Sequence, residues 1–118
     1  MEDRPYQKLI VWQEAHGLCM KIYQCTAKYP AHEQFGLASQ MKRSGYSVPT
    51  NIVEGNARRS SKEKIHFIDI ALASLEELHY QTFLSKDLRY VNEEQAKDIF
   101  SHIGRTGYLL QRLRSSLK

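Results

Sequence analysis

Residues 60–88 read SSKEKIHFIDIALASLEELHYQTFLSKDL, and the reading of this stretch decides the fold. Ser60 and Glu63 match a helix-capping box, in which each side chain meets the other's backbone N–H. No proline or glycine occurs between Ser61 and Leu88, so the pattern predicts one helix over 61–88, roughly 42 Å long at 1.5 Å per residue. Ile65, Ile68, Leu72, Leu75 and Phe83 give it one apolar face, supported by Phe67, Ala71 and Leu78. Ile70, Ala73, Tyr80, Leu84 and Leu88 form a second apolar stripe on a different side. A helix that is apolar on two sides needs two partners. One is the chain's own core. The other points to a second copy, with Ile70, Ala73, Tyr80 and Leu84 at the seam. The alternative is scattered apolar surface residues.

Outward from this helix the 3.6-residue period continues in both directions. A first helix is predicted over about 9–29, closed by Pro30, with Val11, Ala15, Leu18, Ile22 and Thr26 as its stripe, widened by Trp12, Cys19 and Tyr23. A second, over about 33–56, buries Ala38, Met41, Gly45, Val48 and Ile52, with Gly55 one turn on. Pro49 lies inside it and removes one hydrogen bond, so a kink is expected rather than a break. Asn92–Gln95 repeats the capping signature and opens a fourth helix over about 93–116. Its stripe is Ala96, Ile99, Phe100, Ile103, Gly107, Leu110, Leu113 and Leu117. No segment alternates long enough for a strand. The expectation is all-α: an up-down-up-down four-helix bundle, residues 1–118 forming one domain.

Composition excludes several classes. At 118 residues, two domains would each fall near the limit for an independent core. A chain 42% hydrophobic and 25% charged is globular rather than disordered. No run approaches the ~20 apolar residues of a membrane span. The opening Met1-Glu2-Asp3-Arg4-Pro5 is no secretory leader, so a cytoplasmic protein is expected. Cys19 and Cys25 are six residues apart; on one helix they diverge and should stay reduced.

Catalytic and metal signatures are weak. Glu63/His66 and Glu76/His79 have the spacing of di-iron bundles, but those need such pairs on two helices and both lie on one here. Asp98 and His102 offer two ligands with no further cluster. No nucleophile elbow or glycine-rich phosphate loop occurs. No metal, cofactor or enzyme activity is therefore expected, a metal-dependent enzyme being the remotest alternative.

Two polar features stand out instead. Gln40, Arg43, Ser47, Asn51, Glu54 and Arg58 follow at i+3 or i+4, a stripe beside the second helix's core face. It reads as a solvated flank, or as a hydrogen-bonded seam that fixes helix register or a subunit contact, with Glu54 able to pair Arg58. The second feature is charge. Net +4 is weak evidence by itself, but its distribution is not. In an up-down-up-down bundle the loop between helices two and three and the C-terminus share one end. Residues 54–64 hold Arg58, Arg59, Lys62 and Lys64 against Glu54 and Glu63, net +2. Residues 105–118 hold Arg105, Arg112, Arg114 and Lys118 with no acid, net +4. Residues 86–98, at the far end, are net −1. A basic pole with Tyr6 and Tyr108 nearby suits phosphate contact and base stacking. Arg58, Arg59, Lys62, Arg105, Arg112 and Arg114 are its candidate contacts. Part of the C-terminal charge also complements the helix dipole.

The residues carry a resemblance. Leu9–Ala15, Pro30, Glu33–Leu37, Gln40 and Arg43, then Ser47-Val48-Pro49-Thr50-Asn51-Ile52-Val53-Glu54-Gly55 with Arg58, and Phe67, Ile70-Ala71, Ser74 and Glu77 resemble the bacterial four helix bundle protein family, also called the 23S ribosomal RNA intervening-sequence protein family. The likeness covers about residues 6–91; the fourth helix matches in pattern only, and Ala73-Ser74 replaces a usual Gly-Ser pair. It implies a left-handed bundle assembling as a ring-like homopentamer with no established catalysis. A related group serves diversity-generating retroelements, a basic pentamer binding reverse transcriptase and nucleic acid. The functional expectation is a non-catalytic homo-oligomer whose basic pole binds RNA, DNA or a nucleic-acid-processing protein. A protein-interaction scaffold with incidental charge is the alternative.

Overall fold

The computed structural model describes residues 3–118. Helix α1 spans Ile10–Thr26, α2 Leu37–Asn56, α3 Ser61–Asp87 and α4 Glu93–Ser116, with single 3₁₀ turns at Pro5–Lys8 and Ala31–Glu33. Among the described residues no strand forms. Each helix packs on its sequence neighbours, α4 closes back on α1, and α2 with α3 is the most extensive pairing. The result is an up-down-up-down four-helix bundle whose long dimension, 43 Å, is set by α3.

Helix boundaries obey local chemistry. At α3 the Ser60 hydroxyl accepts from the Glu63 N–H at 3.1 Å, one half of the expected box. At α4 both halves form, Asn92 Oδ1 accepting from Gln95 N–H and Gln95 Oε1 from Asn92 N–H, each at 2.8 Å. The second helix begins at Leu37 rather than 33. Residues 31–33 turn as 3₁₀, and the Glu33 carboxylate folds back to accept the Leu37 N–H at 3.2 Å. Gly36 leaves room for that return, since a Cβ there would sit 2.9 Å from Glu33 Oε1. Further on, α2 runs unbroken through the buried Pro49. α3 ends with Arg89 in the left-handed region, φ 65°, as Tyr90 N–H donates to the Ser85 carbonyl at 2.9 Å.

One hydrophobic core draws on all four helices. The stripes of α1 and α2 bury as expected: Ala15, Leu18, Ile22, Ala38, Met41 and Val48 are fully enclosed. Two aromatic assignments fail. Tyr23 is 43% exposed and Phe83 45% exposed. On α3 the buried face runs instead through Ile68, Ala71, Leu75, Leu78, Thr82 and Ser85. Its upper turns are polar: Thr82 donates to the Leu78 carbonyl and Ser85 to that of Gln81, each at 2.8 Å, while the buried Gln81 Oε1 has no partner among the described residues. Cys19 is buried and Cys25 half-buried, both free thiols whose pKa burial raises.

Candidate nucleic-acid interface

The basic end is built by a close approach of α2 and α3. A Cβ on Gly55 would lie 3.0 Å from Phe67 Cβ, so glycine is needed for α3 to start against the last turn of α2. Lys64 then reaches back, its ammonium 3.2 Å from the Asn56 carbonyl and 3.5 Å from that of Gly55. There it supplies the cation that a helix C-terminus favours. Arg58 lies with its guanidinium 4.9 Å over the Phe67 ring. Arg59 and Lys62 stand exposed beside it.

From α4, Arg112 is exposed and lies 5.9 Å from the Tyr108 ring centre. The other two arginines of that helix are engaged. Arg114 grips Asp69 of α3 with two bonds, Nε to Oδ1 at 2.7 Å and Nη2 to Oδ2 at 3.2 Å. That guanidinium holds the Asp69 carboxyl below the usual range. Arg105 sits at mid-helix, away from the pole, and pairs with Glu14 of α1. His102 completes this flank, Nε2 donating to the Glu14 carbonyl at 2.9 Å. Of six candidate contacts, four therefore carry no carboxylate partner among the described residues: Arg58, Arg59, Lys62 and Arg112. Arg105 and Arg114 join helices to one another. Their acids, Glu14 and Asp69, were missed because pairing across helices leaves no fixed spacing in sequence.

The polar stripe of α2 faces α3 as a seam over much of its length. Arg43 is anchored on both sides: its Nε donates to Gln40 Oε1 at 3.0 Å, and its other end pairs with Glu77. Ser47 and Ser74 hydroxyls meet at 2.8 Å, and Asn51 Nδ2 donates to the Ser47 carbonyl at 2.7 Å and its hydroxyl at 3.1 Å. Glu54 departs from expectation. It is exposed and makes no ion pair with Arg58 among the described residues. The receiving residues Ser74 and Glu77, named in the sequence only as part of the family likeness, lie three residues apart on the facing helix.

The second stripe of α3 lies outside the core: Tyr80 is 62% exposed, Ala73 is exposed, and Ile70 and Leu84 are half-buried. Phe83 and Leu88 adjoin them. Of the metal-like pairs, His79 packs its ring 4.6 Å from that of Phe100. No three His, Cys, Asp or Glu side chains converge among the described residues. Nor, among those residues, is any helix long and apolar enough to cross a membrane.

Known proteins share both the sequence pattern and this geometry. A model described as 23S rRNA-intervening sequence protein matches residues 7–112. The crystal structure of a protein with unknown function from the S23 ribosomal protein family, from Bacteroides thetaiotaomicron, superposes with a TM-score of 0.84 at 23% identity. It covers 90% of this chain and 96% of its own, a likeness of fold. No curated protein matches the chain.

Proposed function

The chain belongs to the 23S rRNA-intervening sequence protein family, and from that premise we propose a non-catalytic, self-associating bundle whose basic end binds RNA. DNA, or a nucleoprotein presenting phosphates, would meet the same chemistry. One observation carries the reading: Arg58, Arg59, Lys62 and Arg112 stand exposed with no carboxylate partner among the described residues. Guanidinium forks suit phosphate oxygens. At the other end, Lys86, Arg89 and Lys97 share their surface with Asp87, Glu93, Glu94 and Asp98.

Self-association rests on the outward stripe of α3, with Ile70, Ala73, Tyr80 and Leu84 at the seam. Five subunits is the count that the family resemblance implies. In a cyclic ring every subunit points the same way, so the basic ends add on one face. Several phosphates are then engaged at once, and avidity multiplies weak individual contacts. The native mass of the purified protein, with and without a structured RNA, tests both parts. The expected result is a fivefold multiple of the chain mass that gains one RNA at ~50 mM salt and releases it at high salt. A pure monomer would overturn self-association. An oligomer that takes up no RNA would leave the interaction-scaffold reading in its place.

A further inference from the structure

Beside the basic end, the 3₁₀ turn at Pro5–Lys8 lies against the last turn of α2 and borders an open cleft of about 470 Å³. That is within the usual size of small-ligand pockets, about 300–1,000 Å³. Pro5, Val53 and Ala57 give it apolar walls, while Arg4, Tyr6 and Asn56 bring polar groups to it. The turn is pinned. Arg4 N–H donates to Gln7 Oε1 at 2.6 Å, and Gln13 Nε2 to the Gln7 carbonyl at 2.9 Å. Tyr6 and Trp12 form a T-shaped pair, rings 5.1 Å apart at 71°, and Trp12 stacks on His16 at 4.9 Å and 7°. A T-shaped pair leaves at least one face of the Tyr6 ring uncovered by Trp12. Neither the Tyr6 hydroxyl nor the Asn56 amide is engaged in a hydrogen bond among the described residues. Arg59 follows two residues after Ala57, within about 7 Å of backbone.

We propose that this cleft holds one unpaired nucleotide, so that the basic end selects single-stranded over duplex nucleic acid; the inference rests on the nucleic-acid reading above. The base enters between the Tyr6 ring and the Val53–Ala57 wall, and the Asn56 amide, both donor and acceptor, meets its polar edge. Arg4 and Arg59 receive the flanking phosphates. A paired base cannot enter, because its faces are already stacked and its edge already bonded.

The test compares a fluorescein-labelled single-stranded 12-mer with the blunt duplex of the same sequence at ~50 mM salt, binding read by anisotropy. The single strand is expected to bind at least tenfold more tightly than the duplex. Tyr6→Ala should lower single-strand affinity roughly tenfold, the usual scale of one aromatic–base stack, and leave duplex binding unchanged. Tyr6→Phe should keep the affinity. Asn56→Ala, at an exposed position that leaves the fold intact, should weaken single-strand binding several-fold. Trp12 is the one tryptophan, so its emission should change when adenosine monophosphate is added to wild type and stay constant in Tyr6→Ala. Equal affinity for both strands, with duplex binding intact, would overturn the cleft and leave the basic-end reading standing. Equal losses on both strands in Tyr6→Ala would overturn it too. No binding of either strand would overturn both readings.

Discussion

Asn51 joins two turns of α2 and reaches the Ser47–Ser74 contact that ties α2 to α3. Removing its amide leaves a half-buried carbonyl and hydroxyl short of a donor. Asn51→Ala is therefore expected to cost about 1–3 kcal/mol of stability in denaturant unfolding. Glu54→Ala, one turn along the same stripe, should stay within ~0.5 kcal/mol, because Glu54 is exposed and unpaired among the described residues. Equal effects at the two positions would contradict this division. The stripe was visible in sequence as a run at i+3 and i+4; which members were bonded was not, because that depends on what α3 presents opposite. The same limit explains Thr82 and Ser85. Both are fully buried, yet neither belongs to an apolar stripe of the sequence, since a hydroxyl that bonds the carbonyl four residues back leaves no mark in a hydrophobic pattern.

At the scale of the element, α2 and α3 depend on a glycine where the bundle is tightest. Gly55→Ala sets a Cβ 3.0 Å from Phe67 Cβ, which is fixed to its own backbone and cannot swing away. Overpacking of this kind costs about 1–3 kcal/mol, against roughly 1 kcal/mol gained in helix propensity. A net loss is expected; an unchanged midpoint would show that the helices separate freely there. Ion pairs also tie α4 to α1 and to α3. Glu14, Asp69 and Asp98 are each held below the ordinary carboxylate range, chiefly by hydrogen bonds from Arg105, Arg114 and Lys21. A carboxyl whose pKa is lower folded than unfolded adds stability above its unfolded value, near ~4, and loses it as pH falls through the folded one. The melting temperature should accordingly be level from about pH 7 to 5 and drop below about pH 4. Asp69→Asn should shallow that acid limb, and an identical limb would contradict the assignment. The helices themselves were legible from period and caps, three of four starts falling within a residue of those expected. The exception is α2, whose start is set by the fold-back of Glu33, a contact that periodicity does not carry.

For the whole molecule, the outward stripe of α3 and the basic end make separable claims. Tyr80→Glu with Leu84→Glu should yield monomers or aggregates, read as native mass, if that stripe is the seam between copies. An unchanged mass would place the interface elsewhere. The charge map was only partly legible for a simple reason: a sequence counts cations, whereas Arg105 and Arg114 are matched by acids from other helices. The set that bears the central claim is therefore Arg58, Arg59, Lys62 and Arg112. The most direct measurement is RNA affinity against salt for wild type, for the variant with these four changed to Gln, and for one with Lys86, Arg89 and Lys97 changed to Gln. The account predicts an intact oligomer in all three, and sharply weaker binding only in the first variant, with a salt slope flattened by roughly one for each phosphate-binding cation removed. Equal weakening in both variants, or no binding by wild type at ~50 mM salt, would contradict it.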